Sequence, residues 1–328
     1  MFKKILVPTD FSAYARKVLE CIGEIPGLTD VVLLNVVARD PLARVWDPVA
    51  QAKDAEKKLA VEKKNFKAPG VNVKVKAVSA LEGDIPEAIN QIAKEEDVQM
   101  VVMGARGRSL ISSALLGSAS RNVLRFGDRH LLIMRYRIPG ESGLGPVGPK
   151  ATWVKIAEPP KAETMEKYCA RVFSKVLVPT DFSQPAEVAM SFVKDIGNID
   201  EIVLLHVVSK GESKEAIDAI VEDSTKKLND IAMELGKGGL KVTPKVVVGS
   251  PVEMIKSVAE EEDVSLIAMS SVGKDTLRTG RIGSRTYDVA NSTKRPILVV
   301  RLKPVFEAMS ETPPTENILK SRQDFKFK

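Results

Sequence analysis

The sequence has little of what a metal site or a disulfide-stabilised fold would require. Among its 328 residues there are only two cysteines and two histidines. The spacing of Cys21 and Cys169 suits no metal site, so we expect ordinary thiols in a reducing compartment rather than a structural disulfide. Neither His130 nor His206 stands beside a nucleophile that recurs in the chain. These scarcities give little support to catalysis.

Long apolar runs are also missing. The stretch 31–37, which Asn35 interrupts, is among the longest, whereas roughly 20 residues are needed to span a bilayer. The first apolar segment, 5–7, is too short for a signal peptide. The net charge of +6 is a weak excess of interleaved charges, which does not argue for a nucleic-acid partner. We therefore expect a cytoplasmic protein without a membrane segment.

What the sequence does contain is an internal repeat. Residues 4–12 (KILVPTDFS) reappear as 175–183 (KVLVPTDFS), and residues 32–37 match 203–208, both 171 positions later. A glycine-containing loop recurs 166 positions later. The second copy is therefore predicted to have lost five residues between its second and third strands, where a loop tolerates deletion.

Each copy alternates β-rich runs with helical patterns, which predicts a doubly wound α/β domain with a five-stranded parallel sheet and helices on both faces. The strands are apolar almost throughout, as expected for a sheet covered on both sides. Asp84 and Ser250 are predicted to cap helices that begin with proline. In the first copy, strands are expected near 4–9, 30–37, 71–78, 99–103 and 130–135, and helices near 12–25, 49–67, 85–96 and 118–127.

Composition divides the chain into two domains, one linker between them and a C-terminal tail. Domain 1 is expected at 1–136 and domain 2 at 173–302. Residues 137–172 form a Gly/Pro-rich linker with a helical pattern after Pro160, and 303–328 form a tail. The linker matches G-x-G-x-x-G at 143–148, but Pro146 excludes the helix that this dinucleotide fingerprint needs.

The most informative stretch is 101–118, VVMGARGRSLISSALLGS. An apolar strand ends at Gly104, Gly107 follows, and after nine further residues Gly117 and Ser118 open an amphipathic helix. Glycines let backbone N–H groups approach an anion, and a helix N-terminus adds unpaired donors. The sequence therefore predicts a phosphate-binding loop. The second copy repeats it, with Ser270 in the place of Gly104.

With these segments the chain resembles the universal stress protein family, in its tandem two-domain form. The family signature is glycine, two residues, glycine, nine residues, glycine and then serine or threonine, which the first loop satisfies fully. The resemblance implies ATP, or AMP in some members, with or without Mg²⁺, bound at the carboxyl ends of the strands. It implies roles for the aspartate at Asp10 near the adenosine, for the backbone of Val36 at adenine, and for the glycine loop at ribose and phosphates. The predicted nucleotide-binding set is Pro8, Thr9, Asp10, Val36, Met103, Gly104, Arg106, Gly107, Gly117, Ser118, Ser120, Asp181, Val207, Gly273, Gly283 and Ser284.

Several readings stay open at this point. Asp10 could instead cap the first helix, and Arg106 could be a solvated loop residue rather than a phosphate partner. If the first loop position needs positive φ or close approach, Ser270 costs about 1–2 kcal/mol. That would weaken binding at the second site about tenfold.

The function predicted is a nucleotide-binding module of stress-linked regulation, acting through an unidentified regulatory protein. One alternative is a scaffold of the same fold that binds no nucleotide, and another is a slow ATPase. A dedicated ATPase is not expected, because no G-x-x-x-x-G-K-[ST] loop is present. The last strands of the two copies are expected to pair within one chain, and whole chains could pair again as a homodimer.

Overall fold

The computed structural model describes residues 2–39, 47–80, 84–107, 116–137, 165–167, 171–209, 213–273 and 282–302. The predicted tail, most of the linker with its G-x-G-x-x-G segment, and Cys169 lie outside this part of the chain. The first repeat contains β1 (Lys4–Pro8), α1 (Ala13–Ile22), β2 (Asp30–Ala38), α2 (Pro48–Asn65), β3 (Asn72–Ala80), α3 (Ile85–Glu95), β4 (Met100–Gly104), α4 (Ser118–Phe126) and β5 (His130–Met134). The second repeat contains β6 (Lys175–Thr180), α5 (Gln184–Ile196), β7 (Glu201–Val208), α6 (Lys214–Gly236), β8 (Lys241–Val248), α7 (Pro251–Glu261), β9 (Leu266–Ser270), α8 (Ser284–Ser292) and β10 (Ile297–Val300).

All ten strands form one sheet, in the order β3-β2-β1-β4-β5-β10-β9-β6-β7-β8. Strands within a repeat are parallel, whereas β5 and β10 pair antiparallel, with Leu132 opposite Leu298. The expected pairing of the last strands within the chain is therefore present. It removes two strand edges that would otherwise be open to other chains.

The strands are apolar throughout because both faces of the sheet are covered. In β1, Ile5 and Val7 pack into one core cluster and Leu6 into the other. The first cluster also takes residues from α1, α2, α5 and α6, and the second takes residues from α3, α4, α7 and α8. The alternation along one strand thus fills two cores with the same kind of residue. Among the described residues, no helix is both long and apolar enough to cross a membrane.

Two local expectations were wrong. Asp30 pairs with Asn72 in the first repeat and Glu201 with Lys241 in the second. Asn72 and Lys241 are 169 positions apart, so only two of the five residues are lost between the second and third strands. The other three are lost after the third strand. Asp84 and Ser250 do stand at the N-caps of α3 and α7, but neither side chain makes a capping hydrogen bond.

Candidate nucleotide site

The site lies where β1 and β4 end side by side. These strands are neighbours in the sheet, while β2 lies on one side of them and β5 on the other. The chain therefore leaves the sheet in opposite directions after β1 and after β4. In an open α/β sheet, such a reversal creates a crevice at the carboxyl ends of the strands, which is the usual ligand position.

A tight turn after β1 presents Asp10. Phe11 has a φ of 61°, a left-handed conformation that is uncommon for a residue with a side chain. Two hydrogen bonds hold the turn. The N–H of Phe11 donates to Oγ1 of Thr9 at 3.1 Å, and the N–H of Ser12 donates to Oδ1 of Asp10 at 3.0 Å.

Asp10 does not cap α1. Ser12 is the N-cap, and its hydroxyl accepts the N–H of Ala15 at 3.2 Å. The capping alternative for Asp10 is therefore wrong. Its second carboxylate oxygen lies against the glycine loop, since a Cβ added to Gly107 would stand 2.6 Å from Oδ2 of Asp10. A side chain at this position would have to push the carboxylate away.

The glycine loop is fixed to the sheet by its own backbone. The N–H of Ala105 donates to the Met134 carbonyl at 2.9 Å, and the N–H of Gly117 donates to the Ala105 carbonyl at 2.8 Å. A Cβ on Gly117 would be 3.9 Å from the nitrogen of Gly107. Asp10, Gly107 and the start of α4 are thus contiguous. Residues 108–115 lie outside the described part of the chain.

Gly104 differs from the sequence-based expectation. Neither it nor Ser270 has a positive φ, so the conformational reason for glycine is absent at this position. The remaining reason is space, because a Cβ on Gly104 would be 3.1 Å from the carbonyl oxygen of Arg106.

The helix that follows the loop offers backbone donors. Gly117 is the N-cap of α4 and has no side chain to satisfy the first N–H groups. Ser118 is exposed. The hydroxyl of Ser120 is buried and donates to the Gly104 carbonyl at 2.8 Å. Ser120 therefore ties α4 to the end of β4, and its predicted phosphate contact stays a prediction.

Arg106 is held by α1. Its guanidinium donates to the hydroxyl of Tyr14 at 3.0 Å and lies 5.7 Å from the centre of that ring. Arg106 is therefore not simply a solvated loop residue, because its side chain contacts α1. Of the other predicted residues, Met103 is buried in the core, Pro8 ends β1, and Val36 is half-buried near the end of β2.

The second repeat reproduces the link between its second strand and the turn after its first strand, but with a different side chain. Asn35 donates to the Thr9 carbonyl at 2.7 Å, and Nδ1 of His206 contacts the Thr180 carbonyl at 2.8 Å. Because a carbonyl oxygen only accepts, we assign the proton to Nδ1 of His206. The imidazole also stacks on Phe182, with ring centres 4.3 Å apart. Asparagine and histidine thus tie the second strand to the same turn.

The second glycine loop is looser around its aspartate. A Cβ on Gly273 would be 3.7 Å from Oδ2 of Asp181, against 2.6 Å for the corresponding pair in the first repeat. The Ser270 hydroxyl accepts the N–H of Val272 at 3.3 Å. Gly283 donates to the Ser271 carbonyl at 2.8 Å, as Gly117 does to Ala105. Ser284 is exposed at the start of α8, and Val207 is half-buried.

Comparison with known proteins decides the family. The sequence profile of the Universal stress protein family matches residues 1–135 and 173–301, which together make up most of the chain. The chain belongs to the universal stress protein family. Both repeats of this universal stress protein fall within the matched residues.

Some relatives of this universal stress protein match less than half of the chain, and others match nearly all of it. Universal stress protein MJ0577 of Methanocaldococcus jannaschii is 34% identical over an alignment of 157 residues, and the match covers 40% of this chain and 97% of that protein. The crystal structure of a universal stress protein from Archaeoglobus fulgidus covers 91% of this chain and 96% of its own, with 22% identity and a TM-score of 0.61. At that identity the likeness shows the fold alone. Another solved universal stress protein, in complex with cAMP, is 21% identical and covers 40% of this chain and 99% of its own, with a TM-score of 0.33.

Two side chains beside the first site escaped the sequence-based prediction. One is Tyr14, which holds Arg106. The other is Glu62 on α2, whose Oε2 is buried without a hydrogen-bond partner. Burial raises the pKa of Glu62, although a hydrogen bond from Thr9 and the charge of Arg16 act in the opposite direction.

The second repeat contains a clue to Glu62. At the 169-residue spacing of the third strands, its counterpart is Ile231, which packs against the core. A carboxylate where the other repeat has an apolar side chain is the signal that could have identified it.

Proposed function

We propose that this protein is a regulatory module of the stress response that binds an adenine nucleotide, ATP or AMP, in its first repeat. The observation that carries the proposal is the contact of Asp10 with Gly107 at the switch in strand order. A carboxylate can accept hydrogen bonds from ribose hydroxyls. The adjoining helix N-terminus favours phosphate, because its unpaired N–H groups and dipole face the anion.

The other predicted residues take their roles from this orientation. We propose that the adenine lies against the backbone near Val36 and Thr9, at the ends of β2 and β1. The phosphates would be held by backbone N–H groups of Ser118 and Ala119 in the first turn of α4, because the N–H of Gly117 already donates to the Ala105 carbonyl. Arg106 lies in the same loop and would offset part of the phosphate charge. Nothing in this set is a lysine aimed at a phosphate, so we propose binding rather than turnover.

Isothermal titration of nucleotide-free protein with ATP and AMP, with and without Mg²⁺, tests this function. The key variant is Asp10→Asn, since its amide oxygen can still accept the Ser12 N–H and thereby keep the turn. The variant loses the charged acceptor. Because hydrogen bonds to charged groups contribute about 1.5–3 kcal/mol, we expect affinity at the first site to fall about tenfold or more.

The test has one control variant and two outcomes that would contradict the proposal. Lys226→Ala, at an exposed position of α6, should leave both affinities unchanged. If folded wild-type protein binds neither ATP nor AMP, the nucleotide proposal is wrong and a scaffold function replaces it. If Asp10→Asn binds as tightly as wild type, the nucleotide does not use this crevice.

A further inference from the structure

The second repeat places an arginine at the start of α8, beside its candidate site. Arg285 is the second residue of α8, and its counterpart in the first repeat is Ala119. The guanidinium of Arg285 lies 3.8 Å from Oδ2 of Asp181, with 60% of the Arg285 side chain and 33% of the Asp181 side chain exposed. One ion pair therefore joins the start of α8 to the aspartate that follows β6.

Asp181 is engaged by both Ser183 and Arg285. Its Oδ1 accepts both the N–H and the hydroxyl of Ser183, whereas the hydroxyl of Ser12 is used to cap α1. Its Oδ2 faces Arg285 instead of pressing on the glycine loop. A ligand that needs Asp181 as an acceptor must therefore separate it from Arg285.

The cost of that separation depends on the ligand. An exposed ion pair is weak, and a phosphate group offers a guanidinium charge-assisted, bidentate hydrogen bonds. A phosphorylated ligand can thus take Arg285 from Asp181 and free the carboxylate at the same time. An uncharged nucleoside has to break the pair and gives Arg285 nothing in return.

We propose that Arg285 makes the second site select phosphorylated over unphosphorylated nucleosides, by exchanging its contact with Asp181 for a contact with phosphate. The inference rests on the proposed function, because it assumes that the second repeat binds the same class of ligand. The proposal attributes a difference in ligand binding between the two sites to Arg285 rather than to Ser270, which the loop accommodates without a positive φ.

The test measures a ratio of affinities in the full chain. With the first site weakened by Asp10→Asn, the chain is titrated with ATP, AMP and adenosine, with and without Arg285→Ala. We expect Arg285→Ala to lower the ATP-to-adenosine affinity ratio about fivefold, the size of one exposed charge contact. Lys226→Ala on α6, across the sheet from α8, controls for a general change in charge.

The converse variant uses the first site. In a chain carrying Asp181→Asn, Ala119→Arg should raise the ATP-to-adenosine ratio of the first site. The inference is overturned if Arg285→Ala changes ATP and adenosine affinity equally or not at all, or if the second site binds no ligand with either residue. If the Asp181→Asn chain binds no ATP in its first repeat, the proposed function itself fails. If that chain binds ATP while the second-site ratio ignores Arg285, only the inference fails.

Discussion

At the scale of single residues, the three glycines of the first loop do different work. Gly117 opens a helix, and Gly104 avoids a carbonyl oxygen. Gly107 leaves room for a carboxylate. Of these three glycines, Gly107 alone would bring a Cβ within 3.0 Å of a neighbouring residue's atom, namely Oδ2 of Asp10. Gly107 is therefore the glycine of the loop that shapes the position of Asp10.

Gly107→Ala should displace the Asp10 carboxylate and weaken nucleotide binding at the first site about tenfold, while leaving the fold intact. The fold is spared because the methyl group meets the end of a flexible side chain and not the backbone. Equilibrium titration with ATP measures the affinity, and circular dichroism reports on folding.

The second repeat provides the matched control for this variant. Gly273→Ala has 3.7 Å between the new Cβ and Oδ2 of Asp181, an ordinary contact. It should therefore change affinity at the second site less than twofold, within the small effects usual for an uncrowded position. Equal losses from the two variants would mean that the distance to aspartate is irrelevant.

The residues that could be predicted are those that follow strands. Asp10 and Gly107 both come directly after apolar strands of a parallel sheet, and parallel strands end at one edge, so their meeting follows from the pattern. The contact of Arg285 with Asp181 does not follow, because no periodicity relates a residue in α8 to the turn after β6. Glu62 was hidden for the same reason, since it approaches from the exposed-looking, lysine-rich helix α2.

At the scale of elements, the two repeats are joined by a reciprocal pair of arginines as well as by strands. Arg135 follows β5 and donates to the carbonyl of Ala290 in α8 at 2.8 Å. Arg301 follows β10 and donates to the carbonyls of Leu124 and Val123 in α4. Each repeat thus supplies a cation to the last turn of a helix in the other, where the helix dipole and the last backbone carbonyls favour positive charge.

Replacing Arg301 with alanine should lower the free energy of unfolding by about 1–3 kcal/mol, the range for leaving one buried acceptor, here the Leu124 carbonyl, without a donor. The loss is moderated because burial already disfavours this charge and lowers the pKa of Arg301 to about 10. Urea denaturation followed by circular dichroism gives the value, and Lys226→Ala serves as the surface control. A loss no larger than that of the control would mean that β5 and β10 hold the repeats together alone.

The helices and strands themselves were largely predictable. Every described element of the first repeat lies within three residues of its predicted bounds, because apolar strands and amphipathic helices have distinct periods. The capping hydrogen bonds of α3 and α7 were not predictable in this way. Asp84 and Ser250 occupy the N-cap positions, but their side chains accept no hydrogen bond from the first turn of the helix. Residue type determines that a cap is available, whereas the local backbone determines whether it is used.

At the scale of the whole molecule, His130 lies where the two repeats and the N-terminal segment meet. Its Nδ1 accepts the N–H of Arg301 at 3.0 Å, so this nitrogen carries no proton and the imidazole is in its neutral form. The ring lies 4.5 Å from that of Phe192 in α5 and 6.0 Å from that of Phe2. Burial, with further contributions from Arg301, the N-terminus and Arg129, lowers the pKa of His130 to about 4.

Acid should therefore destabilise the junction of the repeats. The folded-state pKa lies below the unfolded value of about 6.5, so between pH 6.5 and 4 the unfolded chain binds more protons. Stability contributed by neutral His130 is present above this window and is lost as the pH falls through it. The expected slope from this one group is up to about 1.4 kcal/mol per pH unit.

Urea denaturation at pH 7, 6, 5 and 4 measures this slope, and His130→Gln isolates its cause. The variant should be less stable than wild type at pH 7, because it loses the aromatic contacts, but its stability should fall less steeply with acid. Parallel curves for the two proteins would assign the acid sensitivity to carboxylates elsewhere.

The central claim is that the first repeat binds an adenine nucleotide between Asp10 and the start of α4, and a crystal structure of the full chain grown with ATP tests it most directly. We predict ribose hydroxyls within hydrogen-bonding distance of the Asp10 carboxylate and phosphates on the backbone N–H groups of Ser118 and Ala119. A nucleotide bound elsewhere on the chain, or a first crevice that stays empty at saturating ATP, would contradict the claim.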